Sequence, residues 1–155
     1  MELRESLERG AVASLRVDAA VTAGPSEAIR DAIRLMRERR AGCVIVVEHG
    51  RPIGIFSERD VLTKVLSDRV SADRPLADGM TRDPEVVEDG YSVSEVIRRM
   101  TGGGFRHMPV VDSGGFLCGV LSVKRIVEYL VEHFPASVFN LPPDPGQKQL
   151  AREGA

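Results

Sequence analysis

The chain has 155 residues, 43% of them apolar and 28% charged, with a formal charge of −2 at neutral pH. That length can bury one ordinary core, or two small halves that share one. The weak negative charge and the lack of a basic run exclude an electrostatic footprint for nucleic acid, and no apolar stretch is long enough to span a bilayer.

From the N-terminus, "MELRESLERG" mixes acids with basic residues and lacks the apolar centre of a signal peptide, so the expected compartment is the cytoplasm. "AAVTA" reads as a short extended segment. Ala28, Ile29, Ala32, Ile33 and Met36 then recur at helical spacing. "CVIVVEHGRPIGIF" is two strand-forming runs joined by a Gly-containing turn, and a second helix starts near Ser57. The same order returns: "PEVVE", a helix through Val93, Val96, Ile97 and Met100, the pair of runs "MPVVDSGGFLCGVL", and a helix from Ser122. Cys43 and Cys118 lie in apolar runs without metal-ligand spacing and are expected to be reduced core thiols.

The second half repeats the first. Ile33 matches Ile97, Met36 matches Met100 and Val47 matches Val111, each pair 64 residues apart. Beyond the turns the spacing becomes 65, pairing Gly54 with Gly119, Leu62 with Val127 and Leu66 with Val131. The extra residue falls in the second turn, where insertions disturb least. One unit is too small to cover its own sheet, so the expected fold is α/β (α+β), two β-α-β-β-α units packed about a pseudo-two-fold axis. The units are placed at 8–70 and 75–134, with a tail at 135–155. The tail carries Val138, Phe139 and Leu141 among prolines and is expected to dock on its own or a partner subunit.

In this setting "GCVIVVEHGRPIGIFSERDVLTKVL", paired with "MTRDPEVV" and "FRHMPVVDSGGFLCGVLSVKRIVEYL", resembles a tandem pair of CBS motifs, a Bateman module. The likeness runs from about Val12 to Phe134 and extends to small stand-alone bacterial proteins of this kind. It implies a non-catalytic module, dimeric in many cases, that binds an adenosyl ligand such as AMP, ADP, ATP, NAD or S-adenosylmethionine.

Ser57 and Asp60 have the spacing of a capping box, and an acid in the first turn suits the helix dipole. The resemblance adds a second role, with Asp60 accepting from both ribose hydroxyls and Ser57 beside it. It also implies that Arg106 and His107 supply phosphate contacts across the repeats, and that Val21, Ala41 and Cys43 lie near the adenine. The counterpart of Asp60 is Arg125, which opposes the helix dipole and cannot accept from a ribose. Its plainest reading is a solvated surface arginine. The counterparts of Arg106 and His107 are Gly42 and Cys43, which cannot bind phosphate. One cross-repeat site is therefore expected to be intact and the other degenerate. "TGGGF" lacks the preceding strand and the spacing of a phosphate loop and reads as a helix end followed by a connector.

The expected function is a ligand-sensing homodimer that needs no cofactor or metal and reports to an effector protein. The alternative is a structural or protein-interaction dimer without ligand control. No nucleophile–base pair or metal cluster stands out among the residues, so no enzymatic activity is expected.

Overall fold

The computed structural model describes residues 2–134; the tail lies outside them. Its elements are α1 (Glu2–Arg9), a 3-10 turn (Val12–Ser14), β1 (Thr22–Ala23), α2 (Ile29–Arg39), β2 (Cys43–Glu48), β3 (Arg51–Ser57) and α3 (Glu58–Asp60). A π-helical stretch (Val61–Val65) continues α3 without a break. Then come α4 (Leu76–Gly79), β4 (Thr81–Arg82), β5 (Val87–Glu88), α5 (Val93–Gly103), β6 (His107–Val111), β7 (Leu117–Ser122) and α6 (Val123–His133). The two-fold repeat of mixed sheet and helices that the sequence implies is present. Two sheets form, one in the order β1-β2-β3-β4 and one in the order β5-β6-β7.

The periodicity of the helices is what buries them. Ile29, Ala32 and Met36 of α2 face the first core, and Val93, Val96 and Met100 of α5 face the second. The β2–β3 turn is two residues long, with His49 and Gly50 both at positive φ (52° and 75°), the geometry that matches strand twist in a tight hairpin. The β6–β7 turn holds the extra residue and uses Gly115 at φ 85°. The two hairpin ends meet: Leu117 N–H donates to Gly50 O at 2.9 Å, and the Arg51 guanidinium lies 4.6 Å from the centre of the Phe116 ring. Cys118 departs from expectation. In β7, Gly119 and Leu121 point inward, so the pleat turns Cys118 to solvent, whereas Cys43 is buried.

The lead-in to each unit divides between the two sheets. Asp18 pairs with Val120 of the second sheet, while Thr22 and Ala23 pair with Ile45 and Val46 of the first. Reciprocally, Thr81 and Arg82 pair with β3, while Val87 and Glu88 pair with β6. Upstream, Val12 N–H donates to Tyr91 O and Val93 N–H to Gly10 O. The matching bonds run from Leu76 to Glu27 and from Ile29 to Arg74, all four at 2.8–2.9 Å.

Side chains follow the backbone. Val12 and Leu15 are buried among Val87, Val96, Met108 and Leu121, and Leu76 and Met80 among Ile29, Val44 and Phe56. Burial of each such side chain contributes on the order of 1.5–3 kcal/mol. Each core is thus completed by the opposite lead-in, and the two units form one folding body.

The recurrent glycines mark where the lead-ins cross. A Cβ on Gly54 would collide with the Met80 side chain, and one on Gly119 would lie 2.7 Å from the Asp18 carbonyl oxygen. The second obstacle is backbone and cannot step aside. Gly119→Ala should therefore lose about 1–3 kcal/mol in urea unfolding. Gly90→Ala, with nothing within 4 Å of the added methyl, should stay within about 0.5 kcal/mol of the parent.

Candidate functional site

The start of the helix after β3 is built around Asp60. Ser57 ends β3 in extended conformation and serves as the N-cap. Its backbone N–H donates to Asp60 Oδ2 at 2.8 Å and its hydroxyl lies 3.2 Å from the same oxygen. The Lys64 ammonium lies 3.0 Å from Asp60 Oδ1 and donates to Gly79 O at 2.7 Å. Asp60 is 7% exposed, the one buried charged residue among those described. A carboxylate this buried requires such donors. The capping role expected from spacing is therefore present.

Strand pairing brings each strand start beside the helix start of its own repeat. Cys43 pairs with Ser57 and His107 with Ser122. Glu58 N–H donates to Gly42 O, and at the equivalent place Val123 N–H donates to Arg106 O. The repeats touch where His107 lies over Gly42: a Cβ on Gly42 would come 2.9 Å from His107 Cε1 and Nε2. Gly42, the counterpart of Arg106, is thus the seat of the imidazole from the second repeat.

Burial is the main influence on the titrating groups here. It lowers the His107 pKa below the ordinary 6.5, with Arg106 acting in the same direction and Glu58 and Asp18 opposing. It pushes the Cys43 thiol up to about 12, with Glu58 adding to the effect, so this cysteine is an inert thiol at neutral pH. Arg106 is exposed, and Val21 and Ala41 are half-buried. An apolar cleft of about 340 Å³ adjoins the helix start, lined by Ile33, Met36, Ala41, Val61 and Leu62 with Arg37 and Glu58. Of the sequence-predicted site residues only Ala41 lines it.

Arg125 is not a free surface arginine. Ser122 still caps its helix, accepting from Arg125 N–H at 3.4 Å. The guanidinium, however, forks onto Asp18, with Nη2 at 2.7 Å and Nε at 3.1–3.2 Å, while Nη1 reaches Glu128 at 2.8 Å. Asp18 is held below the usual carboxylate range chiefly by its hydrogen bond to Arg125, and the Arg125 pKa is raised by the same bond. The donors of Arg125 are therefore committed within the chain. Sequence inspection missed this pair because its members are 107 positions apart. It also missed Glu58 and Lys64, although Lys64 was visible as an acid–base pair at i,i+4 spacing.

A strand–helix unit present twice, with the lead-ins exchanged between the two sheets, defines a tandem-repeat module. The CBS domain model matches residues 12–67 and 75–132, and the chain belongs to that family. It is 34% identical over 116 residues to the protein MK0525 of Methanopyrus kandleri, covering 72% of this chain and 59% of that protein. It thus spans less than two thirds of that relative's length. Among solved structures it resembles the CBS-domain protein ATU1752 of Agrobacterium tumefaciens, at 30% identity and TM-score 0.66, covering 72% of this chain and 90% of that one. It also resembles the CBS domain protein PAE2072 of Pyrobaculum aerophilum, solved with AMP, at 25% identity and TM-score 0.69. That match covers 79% of this chain and 98% of that one. No helix among the described residues is long and apolar enough to cross a membrane.

The lowered His107 pKa has a consequence for stability. An imidazole whose folded pKa lies below its unfolded value favours folding fully above pH 6.5. That contribution is lost as pH falls from 6.5 toward the folded pKa. His107→Gln should therefore lose less stability than the parent between pH 7.5 and 5.5, compared by urea midpoints; parallel decline would assign the pH response to other groups.

Proposed function

We propose that the chain is a non-catalytic sensor that binds one adenine nucleotide per chain between its repeats, with AMP the first ligand to test. Asp60 accepts the ribose hydroxyls with Ser57 beside it, and Arg106 and His107 meet the phosphate. Val21, Ala41 and Cys43 contribute to the adenine wall. The observation that carries this reading is the buried Asp60 carboxylate at a helix start whose counterpart is an arginine already consumed by Asp18. The AMP bound to PAE2072 supports the ligand class, as does the AMP complex of CBSX2, 25% identical to this chain. Nucleotide occupancy is then passed to an effector protein.

The test is calorimetry with AMP. Hydrogen bonds to a charged acceptor contribute roughly 1.5–3 kcal/mol. Asp60→Asn, which keeps the shape and one acceptor, should therefore bind about ten- to a hundred-fold more weakly, with thermal melting confirming that the variant is folded. The parent should titrate with one AMP per chain. Full-strength binding by Asp60→Asn, or two equal sites per chain, would refute the assignment.

Dimerisation belongs to the same reading. Leu62 and Leu66 are 64% and 67% exposed, and Val127, the counterpart of Leu62, is 51% exposed. Val61, Val65 and Leu130 instead lean on the cores, and Ile126 is buried within one. The apolar face thus draws equivalent residues from both repeats, so a second copy presents a matching surface, as an isologous contact requires. Light scattering at micromolar concentration should give twice the 16.9 kDa chain mass, and Leu62→Glu with Val127→Glu should return the monomer. A monomeric parent would exclude the dimer.

A further inference from the structure

We infer that Lys64 is a releasable tie, displaced from Asp60 when a ribose binds, through which occupancy of the first cleft reaches the lead-in of the second repeat. The inference rests on the nucleotide reading above. It starts from the acceptor capacity of Asp60. A carboxylate has about two acceptor sites on each oxygen. Oδ2 carries both donors of Ser57, and Oδ1 carries the Lys64 ammonium at 3.0 Å. A vicinal diol brings two hydroxyl donors, and only one site is open. The Ser57 N–H is part of the helix cap and stays. Lys64 has a long flexible stem, a 29% exposed side chain and a second partner, so it is the donor that yields.

The second partner gives the displacement a consequence. Lys64 also holds the carbonyl of Gly79, the last residue of α4, next to the Met80 that crosses Gly54. An ammonium bonded to a neutral carbonyl alone competes less well against water than one shared with a carboxylate. Loss of Asp60 therefore loosens the hold on Gly79 and on the turn that feeds β4.

Two further features single out this position. Lys64 sits in the π-helical stretch Val61–Val65, where Leu66 N–H bonds Val61 O at 2.9 Å, whereas α6 is α-helical throughout. Single π turns inside helices frequently mark functional positions. The second repeat, in addition, makes the corresponding helix-to-lead-in link with Arg125 and Asp18, at the place where the chain crosses Gly119. That link contains no free carboxylate for a ribose to claim. One repeat is thus tied permanently and the other through the residue that would receive the ligand.

The test compares the parent with Lys64→Met and Lys64→Arg, using adenosine to isolate the ribose contribution and AMP as a second probe. Lys64→Met removes the competitor and should bind adenosine about two- to five-fold more tightly, the range spanned by a partly exposed ion pair. In the parent, saturating adenosine should speed hydrogen exchange at the Asp78 and Met80 amides, which bond to Pro75 O and Leu76 O. In Lys64→Met these amides should exchange fast already and not respond, whereas Lys64→Arg should preserve the response. Lys64→Gln serves in the same role if the methionine variant melts early. Weaker adenosine binding by Lys64→Met would make Lys64 a ligand contact and overturn the inference, as would ligand binding that leaves Asp78 and Met80 unchanged. Failure of the folded parent to bind either AMP or adenosine would instead overturn the nucleotide reading, and this inference with it.

Discussion

At Gly54 and Gly119 a strand passes close beneath a crossing segment, so that an added methyl would meet the Met80 side chain at one and the Asp18 backbone at the other. The rest of the molecule depends on these two crossings. Because each lead-in can lie against the opposite sheet, Val12 and Leu15 enter the second core and Leu76 and Met80 the first. Neither unit can shed its lead-in without opening its partner's core. The duplication is thus more than two copies side by side, since each copy supplies the other's missing wall.

The repeats keep the same backbone and diverge in charge. Serine caps both helices, as the dipole requires at either place. Three residues on, one helix carries an acid that completes the cap and the other a cation that opposes it. The unfavourable cation is compensated by Asp18, which arrives from the opposite lead-in and accepts from its guanidinium. The bidentate guanidinium–carboxylate pair offsets the unfavourable placement of a cation at the helix start. Where the first repeat carries an acid, the second therefore carries a structural link to the opposite lead-in.

The contrast between Gly42 and Arg106 follows the same logic. A side chain at position 42 would enter the volume in which the His107 ring lies. With His107 in this position, a side chain at position 42 would require the imidazole to move. The difference between the two strand starts is thus one of packing as well as of charge.

The repeat, its spacings of 64 and 65 residues, the faces of α2 and α5, and the cap formed by Ser57 and Asp60 are all legible along the linear chain. These depend on local periodicity and on contacts three or four residues apart, which a linear pattern records directly. It also exposed the exchange of Asp60 for Arg125, because aligned copies reveal a reversed charge. What that reversal does depends on contacts made in three dimensions. The partner of Arg125 is 107 positions away, and the seat of His107 is a glycine whose significance is the absence of a side chain. Cys118 likewise reads as apolar core until the pleat of β7 assigns Gly119 and Leu121 to the inside and leaves the thiol in solvent. A pattern along the chain fixes which residues share a face, whereas the crossing of one backbone over another decides what that face meets.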